Sequence, residues 1–236
     1  MTETTKLSFK PKQVSKKLLL SLNQRMREII SNRYGLESEK KMTLESIGKQ
    51  YNITRERVRQ IENFALSSIK KNQDFVEFGY IFDELKEIIK RLGSVVKEDV
   101  LMNYISDDKI TQNHINFYLV LGGQFTKKKE TDLFHTHWSV DDLISCHIED
   151  SLCLLHENIS EDELLHEDKI IEKFVSNLDQ LIDDYKNNKD IIKKYLSVSK
   201  VIDKNSLEQW GKTTSPHIKA RGIKDYAYLV IRNNNK

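Results

Sequence analysis

Apolar side chains along residues 43–71 fall into two helical stripes separated by a short turn. In the first, Leu44 and Ile47 share a face. In the second, Val58, Ile61, Ala65 and Ile69 recur at i, i+3, i+7 and i+11, a narrow band along one side of a helix. Thr54 stands just before the second stripe, where a hydroxyl can accept one of the free N–H groups of a helix start. Tyr51 and Ile53 occupy the turn, and Gly48 sits where the two helices must come closest. Opposite the second stripe lie Glu56, Arg59, Gln60, Asn63 and Ser67, flanked by Arg55 and Arg57. A short amphipathic helix, a turn and a longer helix headed by charged and amide groups is the layout of a helix-turn-helix. The second helix of such a unit can enter the DNA major groove.

The same periodicities organise the rest of the chain. Helices are predicted over 18–34, 43–51 and 54–71, and residues 75–92 continue as an amphipathic helix with Phe78, Ile81, Phe82, Leu85, Ile88, Ile89 and Leu92 on its inner face. Val95 and Val96 read as a short extended segment, followed by helices over 97–105 and 111–121. Alternation in 124–129 and 133–138 predicts two strands joined by a turn at 130–132. Helix, strand, helix, helix, hairpin is the order of a winged helix. A further unit over 141–212 starts with a helix at 141–157 and a short helix at 160–166, with Ser160 as cap and Glu163 as its capping-box partner. Longer helices to 195, a strand-like stretch at 196–202 and an anchoring Trp210 complete it. Residues 221–231 read as one more helix, which either packs back on an earlier domain or opens another.

The expected fold is therefore mainly α: a helix-turn-helix followed by one or two winged-helix-like modules with small β-hairpins. Its divisions are a flexible basic arm at 1–17 (equally readable as a frayed terminus), a DNA-binding domain at 18–74 and a winged-helix-like module at 75–140. An acidic helical or winged-helix-like module at 141–212 and a C-terminal helix at 213–236 follow.

Three runs carry a family resemblance: residues 22–36 (LNQRMREIISNRYGL), 43–49 (TLESIGK) and 53–62 (ITRERVRQIE). Residues 18–71 resemble region 4 of the bacterial sigma-70 family, which reads the promoter −35 element. The resemblance implies that Arg55, Glu56 and Gln60 contact bases, and that Arg57 and Arg59 hold phosphates or neighbouring bases. Thr43 and Asn63 complete the candidate DNA-binding set. Arginine can fork onto guanine, glutamine onto adenine, and glutamate can accept from cytosine. Two departures qualify this. The family continues its recognition helix with basic residues, whereas Phe64, Ser67 and Ser68 stand here, and each absent phosphate contact lowers non-specific affinity. Phe64 is expected to pack against the next domain. Nothing in the chain resembles sigma region 2, so it does not read as a complete sigma factor.

Charge sharpens the division. Residues 1–71 hold 16 Lys/Arg against 7 Asp/Glu, a net +9, whereas residues 72–236 are net −7 and residues 141–190 alone hold 15 acidic against 4 basic residues. A basic footprint on the helix-turn-helix suits DNA, and the acidic stretch suits protein contact or self-association. Lys127, Lys128 and Lys129 at the expected wing read either as phosphate contacts or as a solvated tip. No apolar run is long enough to span a bilayer and no signal peptide is apparent, which places the protein in the cytoplasm without membrane contact. Cys146 and Cys153 fall two turns apart on one helix, too far for a disulfide. His135, His137, His147 and His156 lack zinc-ligand spacing. No Walker loop, dinucleotide-binding glycine pattern or nucleophile elbow occurs, so neither enzyme chemistry nor a cofactor is expected. The sequence supports a sequence-specific transcription factor bound to double-stranded DNA. The alternative is a module that binds the β-flap of the RNA polymerase core. Oligomeric state stays open.

Overall fold

The computed structural model describes residues 7–219 and, beyond them, positions 222, 225, 227, 230 and 231. The first six helices are α1 (Pro11–Leu19), α2 (Gln24–Tyr34), α3 (Leu44–Tyr51), α4 (Arg55–Lys70), α5 (Gln73–Glu77) and α6 (Gly79–Arg91). There follow β1 (Val95–Lys97), α7 (Glu98–Ile105), α8 (Lys109–Leu121), β2 (Thr126–Lys128) and β3 (His137–Ser139). The last third contains α9 (Asp142–Asn158), α10 (Glu167–Ser176), a 3-10 turn at Gln180–Ile182, α11 (Asp183–Lys186), α12 (Lys189–Leu196), β4 (Ile202–Lys204) and β5 (Trp210–Lys212). The fold is mainly α with small antiparallel hairpins.

The chain forms two compact units: one from residues up to Ile88 together with Asp99–Phe125, the other from Ile89–Glu98 together with Thr126 onwards. This division cuts across the expected boundaries at 74/75 and 140/141. The stretch expected as one module over 75–140 gives α8 to the first unit and its strands to the second.

In the first unit α8 is the central helix. Gln112–Leu119 and Leu121 are all buried, and α1 and α2 pack on α8. The expected free arm is corrected here for residues 7–17. Pro11 presets the first turn of α1, and Phe9, Val14, Leu18 and Leu19 are buried. Tyr118 donates to the Pro11 carbonyl, and its hydroxyl lies 2.7 Å from Ser15 Oγ. Residues 1–6 lie outside the described part. The helix expected over 18–34 starts only at Gln24, because the Asn23 side chain accepts from Met26 N–H and caps a new helix. The helix expected over 75–92 is likewise two, α5 and α6, with Asn72 capping α5 through Asp74 N–H.

The second unit contains two sheets. β3 lies between β1 and β2, with Val96 and Lys127 both opposite Trp138. In chain order α6–β1–α7–α8–β2–β3 is the winged-helix sequence of elements. The order recurs. After α9, Leu165 pairs with Trp210 of β5 through N–H···O bonds of 2.8 and 2.7 Å, and β5 pairs with β4. Leu165, β5 and β4 thus repeat the arrangement of β1, β3 and β2. This pairing explains why residues 160–166 form a turn and not the expected helix: the chain must run extended at Leu165 to meet β5. Half of the expected capping box survives, with Ser160 N–H donating to Glu163 Oε2 at 3.1 Å.

Further expectations shift in this unit. The strand expected at 196–202 begins only at Ile202, since α12 runs to Leu196 and Ser199 Oγ accepts from Val201 and Ile202 N–H. The turn expected at 130–132 is a longer connection in which Phe134 bridges to Ser199. A single core holds Ile148, Leu152, Phe174, Ile192, Tyr195 and Trp210. Tyr195 donates to the Gly93 carbonyl at 2.5 Å, and Gly93 has φ +107°, where a Cβ would strike Ile191 and Tyr195. Residues 213–219 form turns, and most of the expected C-terminal helix lies outside the described residues.

Candidate DNA-reading face

The helix-turn-helix is built by local rules. Thr43 caps α3 by accepting Ser46 N–H at 3.1 Å, and Thr54 caps α4 by accepting Arg57 N–H at 3.1 Å. Between them Asn52 adopts φ 53°, which ends α3 in a left-handed turn. Gly48 marks the close approach: a Cβ there would lie 2.7 Å from the Ile53 carbonyl, which no side chain tolerates without moving backbone. Ile29, Ile47 and Val58 form the buried centre, surrounded by Met42, Leu44, Tyr51, Ile53 and Ile61. Val58, Ala65 and Ile69 of the expected stripe are fully buried, and Ile61 is half-buried at its edge.

All seven predicted contact residues are exposed: Thr43 at the start of α3, and Arg55, Glu56, Arg57, Arg59, Gln60 and Asn63 on α4. Glu56 and Arg59 form a forked pair at 2.7 and 2.8 Å. The hydrogen bonds from Arg59 hold the Glu56 carboxyl below the usual carboxylate range, and Arg59 is raised in turn. Arg57 donates to Gln60 Oε1 at 3.1 Å. Arg55, exposed in the first turn, has no side-chain hydrogen bond or ion pair among the described residues, and its charge adds to the lowering of Glu56. The face thus presents donors and acceptors in local pairs, each solvent-exposed and weakly held, so exchange for base or phosphate partners is inexpensive.

Two supports of this face escaped the sequence reading. Glu62 is buried, accepting from Arg33 Nε at 3.3 Å and from the Tyr34 hydroxyl at 3.0 Å, while Arg33 also donates to the Met42 carbonyl at 3.2 Å. Burial, then the Glu62 charge, pushes the Tyr34 phenol up. This network ties α4 to α2. Its signal was present: Glu62 lies four residues after Val58 and three before Ala65, on the inner side of the stripe. The second support is Asn113 of α8. Its amide donates toward the carbonyls of Gly35 (3.0 Å), Ser38 (3.2 Å) and Glu39 (3.2 Å), and Phe117 packs on Tyr34 at 5.1 Å between centroids. The loop that leads into α3 is therefore held by a helix beyond residue 71.

Other candidates fare differently. Phe64, expected to pack against the next domain, is 61% exposed on the flank of α4. Lys127 pairs with Glu98 and lies over the Trp138 ring at 5.1 Å, and Lys128 lies 3.9 Å from Glu149, so two of the three wing lysines have internal partners. His137 is buried, its Nδ1 on the His135 carbonyl (2.8 Å) and its Nε2 facing Glu149 (3.2 Å). Among the described residues, no three His, Cys, Asp or Glu side chains are grouped to hold a metal ion. No described helix is long and apolar enough to cross a membrane.

Residues 18–71 match the family model for sigma-70, region 4. Over 54 residues the chain is 46% identical to the RNA polymerase principal sigma factor HrdD of Streptomyces griseus, covering 23% of this chain and 16% of that protein. It is 48% identical over 54 residues to the RNA polymerase sigma factor SigA of a Nostoc species, with 23% and 14% covered. Against the RNA polymerase sigma factor RpoD of Helicobacter pylori it is 47% identical over 57 residues, with 24% and 8% covered. The chain thus spans a sixth or less of the length of these curated relatives. No solved structure matches it significantly. Residues 18–71 are a sigma region 4-like helix-turn-helix.

Proposed function

We propose that the protein is a non-enzymatic, sequence-specific DNA-binding transcription factor that reads −35-type DNA with α4 in the major groove. Arg55, Glu56 and Gln60 meet base edges, Arg57 and Arg59 hold phosphates or adjacent bases, and Thr43 and Asn63 flank them. The observation that carries this reading is the outward face of α4. Its exposed polar side chains stand on a helix fixed by Thr54, Gly48 and Glu62, within the segment that matches region 4. A cytoplasmic location goes with this reading. The test is fluorescence anisotropy of the full chain against a TTGACA duplex and a scrambled duplex over a salt series. Preference for the first is expected, lost in Gln60→Ala, with Arg55→Ala weakening specific binding by about 1–3 kcal/mol. Equal affinity for both duplexes would sink promoter reading.

A second reading has its own support. The third helices of the two winged-helix-like orders are poorer DNA readers than α4: α8 is buried, and Lys189 and Lys193 of α12 lie beside Asp168 (2.7 Å) and Glu167 (3.2 Å), carboxylates that a phosphate backbone would repel. A protein with one DNA-reading helix and an acidic remainder also suits a module that binds the RNA polymerase β-flap and redirects or inhibits transcription. Binding to core polymerase that survives Arg55→Ala would favour it.

A further inference from the structure

The outward face of α9 combines exposed leucines with carboxylates. Ile148, Leu152 and Leu155 turn inward, while Leu143, Cys146, Asp150, Leu154 and Glu157 recur outward at i, i+3, i+7, i+11 and i+14. Leu143 is 72% exposed and Leu154 47%. A lone exposed leucine means little; charge makes this face distinctive. On the neighbouring elements four carboxylates are answered from within: Glu163 by Lys173 at 2.8 Å, Glu167 by Lys193 at 3.2 Å, Asp168 by Lys189 at 2.7 Å and Asp183 by Lys186 at 2.7 Å. Asp142, Asp150 and Glu157 on α9, with Glu161 just beyond it, have no ion-pair partner among the described residues.

Beside the C-terminal half of this face runs a groove of about 160 Å³, with apolar walls from Leu133, Phe134, Cys153 and Val201 and with His156 and Glu157 at its rim. Burial, then Asp150 and Glu157, pushes the Cys153 thiol up. Burial and Lys212 push His156 down, with Glu161 and Glu157 opposing. Glu157 and Glu161 thus place two carboxylates beside an apolar slot, with Lys212 the cation nearby.

We propose that this face docks a basic amphipathic segment of a partner protein, with an apolar side chain in the groove and Lys or Arg side chains on Asp150, Glu157 and Glu161. Such a surface repels nucleic acid and anionic lipid, and its outward stripe spans four helical turns, the reach of an amphipathic helix read at i, i+3, i+4 and i+7. The proposal is independent of the DNA reading.

The probe is a fluorescein-labelled Leu/Lys peptide of about 16 residues at amphipathic helical spacing, with a scrambled peptide of equal composition, titrated against the full chain. The amphipathic peptide is expected to bind about tenfold more tightly than the scramble, and Leu154→Ser and Asp150→Lys each to weaken it by about tenfold. Alkylation of the exposed Cys146 should slow severalfold under the bound peptide. Both substitutions are at exposed sites, and circular dichroism confirms that the variants fold. Absence of binding, equal binding of the scramble, or affinity unchanged in Leu154→Ser overturns the proposal. So does sedimentation showing a dimer lost in Leu143→Ser, which would make the occupant a second copy of the chain.

Discussion

Glu62 shows how one buried carboxylate can set a functional helix. It faces inward from α4 and accepts from both Arg33 and Tyr34, so removing it leaves the buried phenol without its acceptor and Arg33 with only the Met42 carbonyl. Glu62→Ala is expected to destabilise the protein by about 1–3 kcal/mol in chemical denaturation. His114 makes the opposite kind of contribution. It is buried on α8, its Nδ1 is 2.8 Å from Ser15 Oγ, and burial with Lys12 nearby pushes its pKa from 6.5 down to about 4. A histidine depressed in the folded state binds its proton more readily when unfolded. Stability is therefore undiminished above pH 6.5 and falls as pH drops toward 4, by at most about 1.4 kcal/mol per pH unit. Denaturation at a series of pH values between 6.5 and 5, above most carboxylate titration, should show this slope in the native protein and lose it in His114→Gln.

At the scale of elements, α8 matters most. Its place in chain order is that of the third helix of a winged helix, the element that reads DNA in many such domains. Here its residues are buried against α1 and α2, and Asn113 holds the loop that feeds α3. Asn113→Ala leaves three carbonyls without that donor. Hydrogen exchange in residues 35–42 should speed up, and specific DNA affinity should fall severalfold while the salt slope stays unchanged, since no phosphate contact is lost. An unchanged exchange profile would show that the loop does not depend on α8. The helix break at residues 20–23 was partly legible, because Asn23 is a capping residue; Asn72 marks only the start of α5 and not the break at Phe78. Apolar periodicity running through both breaks hid them. The short helix expected at 160–166 failed for another reason: pairing of Leu165 with Trp210, 45 residues later in the chain, overrides a good local cap.

Along the whole chain, charge separates from charge: a basic N-terminal segment carries the sigma region 4-like helix-turn-helix, and the acidic remainder carries the carboxylates of α9. The wing lysines test how much of the molecule meets DNA. Because Lys127 and Lys128 lie on Glu98 and Glu149, replacing Lys127 and Lys128 with alanine should leave the slope of log affinity against log salt unchanged. Arg57→Ala should reduce it by about one. Equal effects from both variants would place the wing on the phosphate backbone.

The sequence by itself determined the helix-turn-helix, the Thr54 cap, its close-approach glycine and the outward placement of the candidate contact residues. All of these rest on neighbours within a turn or two, where spacing and residue type suffice. It also determined the winged-helix order of elements, which follows from local periodicity. Only the tertiary structure decided that α1 is a packed helix and not an arm, that α8 is an internal support, and that Lys127 and Lys128 of the wing already have carboxylate partners. Each depends on groups far apart in the chain, such as Asn113 and Gly35, 78 positions apart, and burial between such groups leaves no periodic trace in either segment.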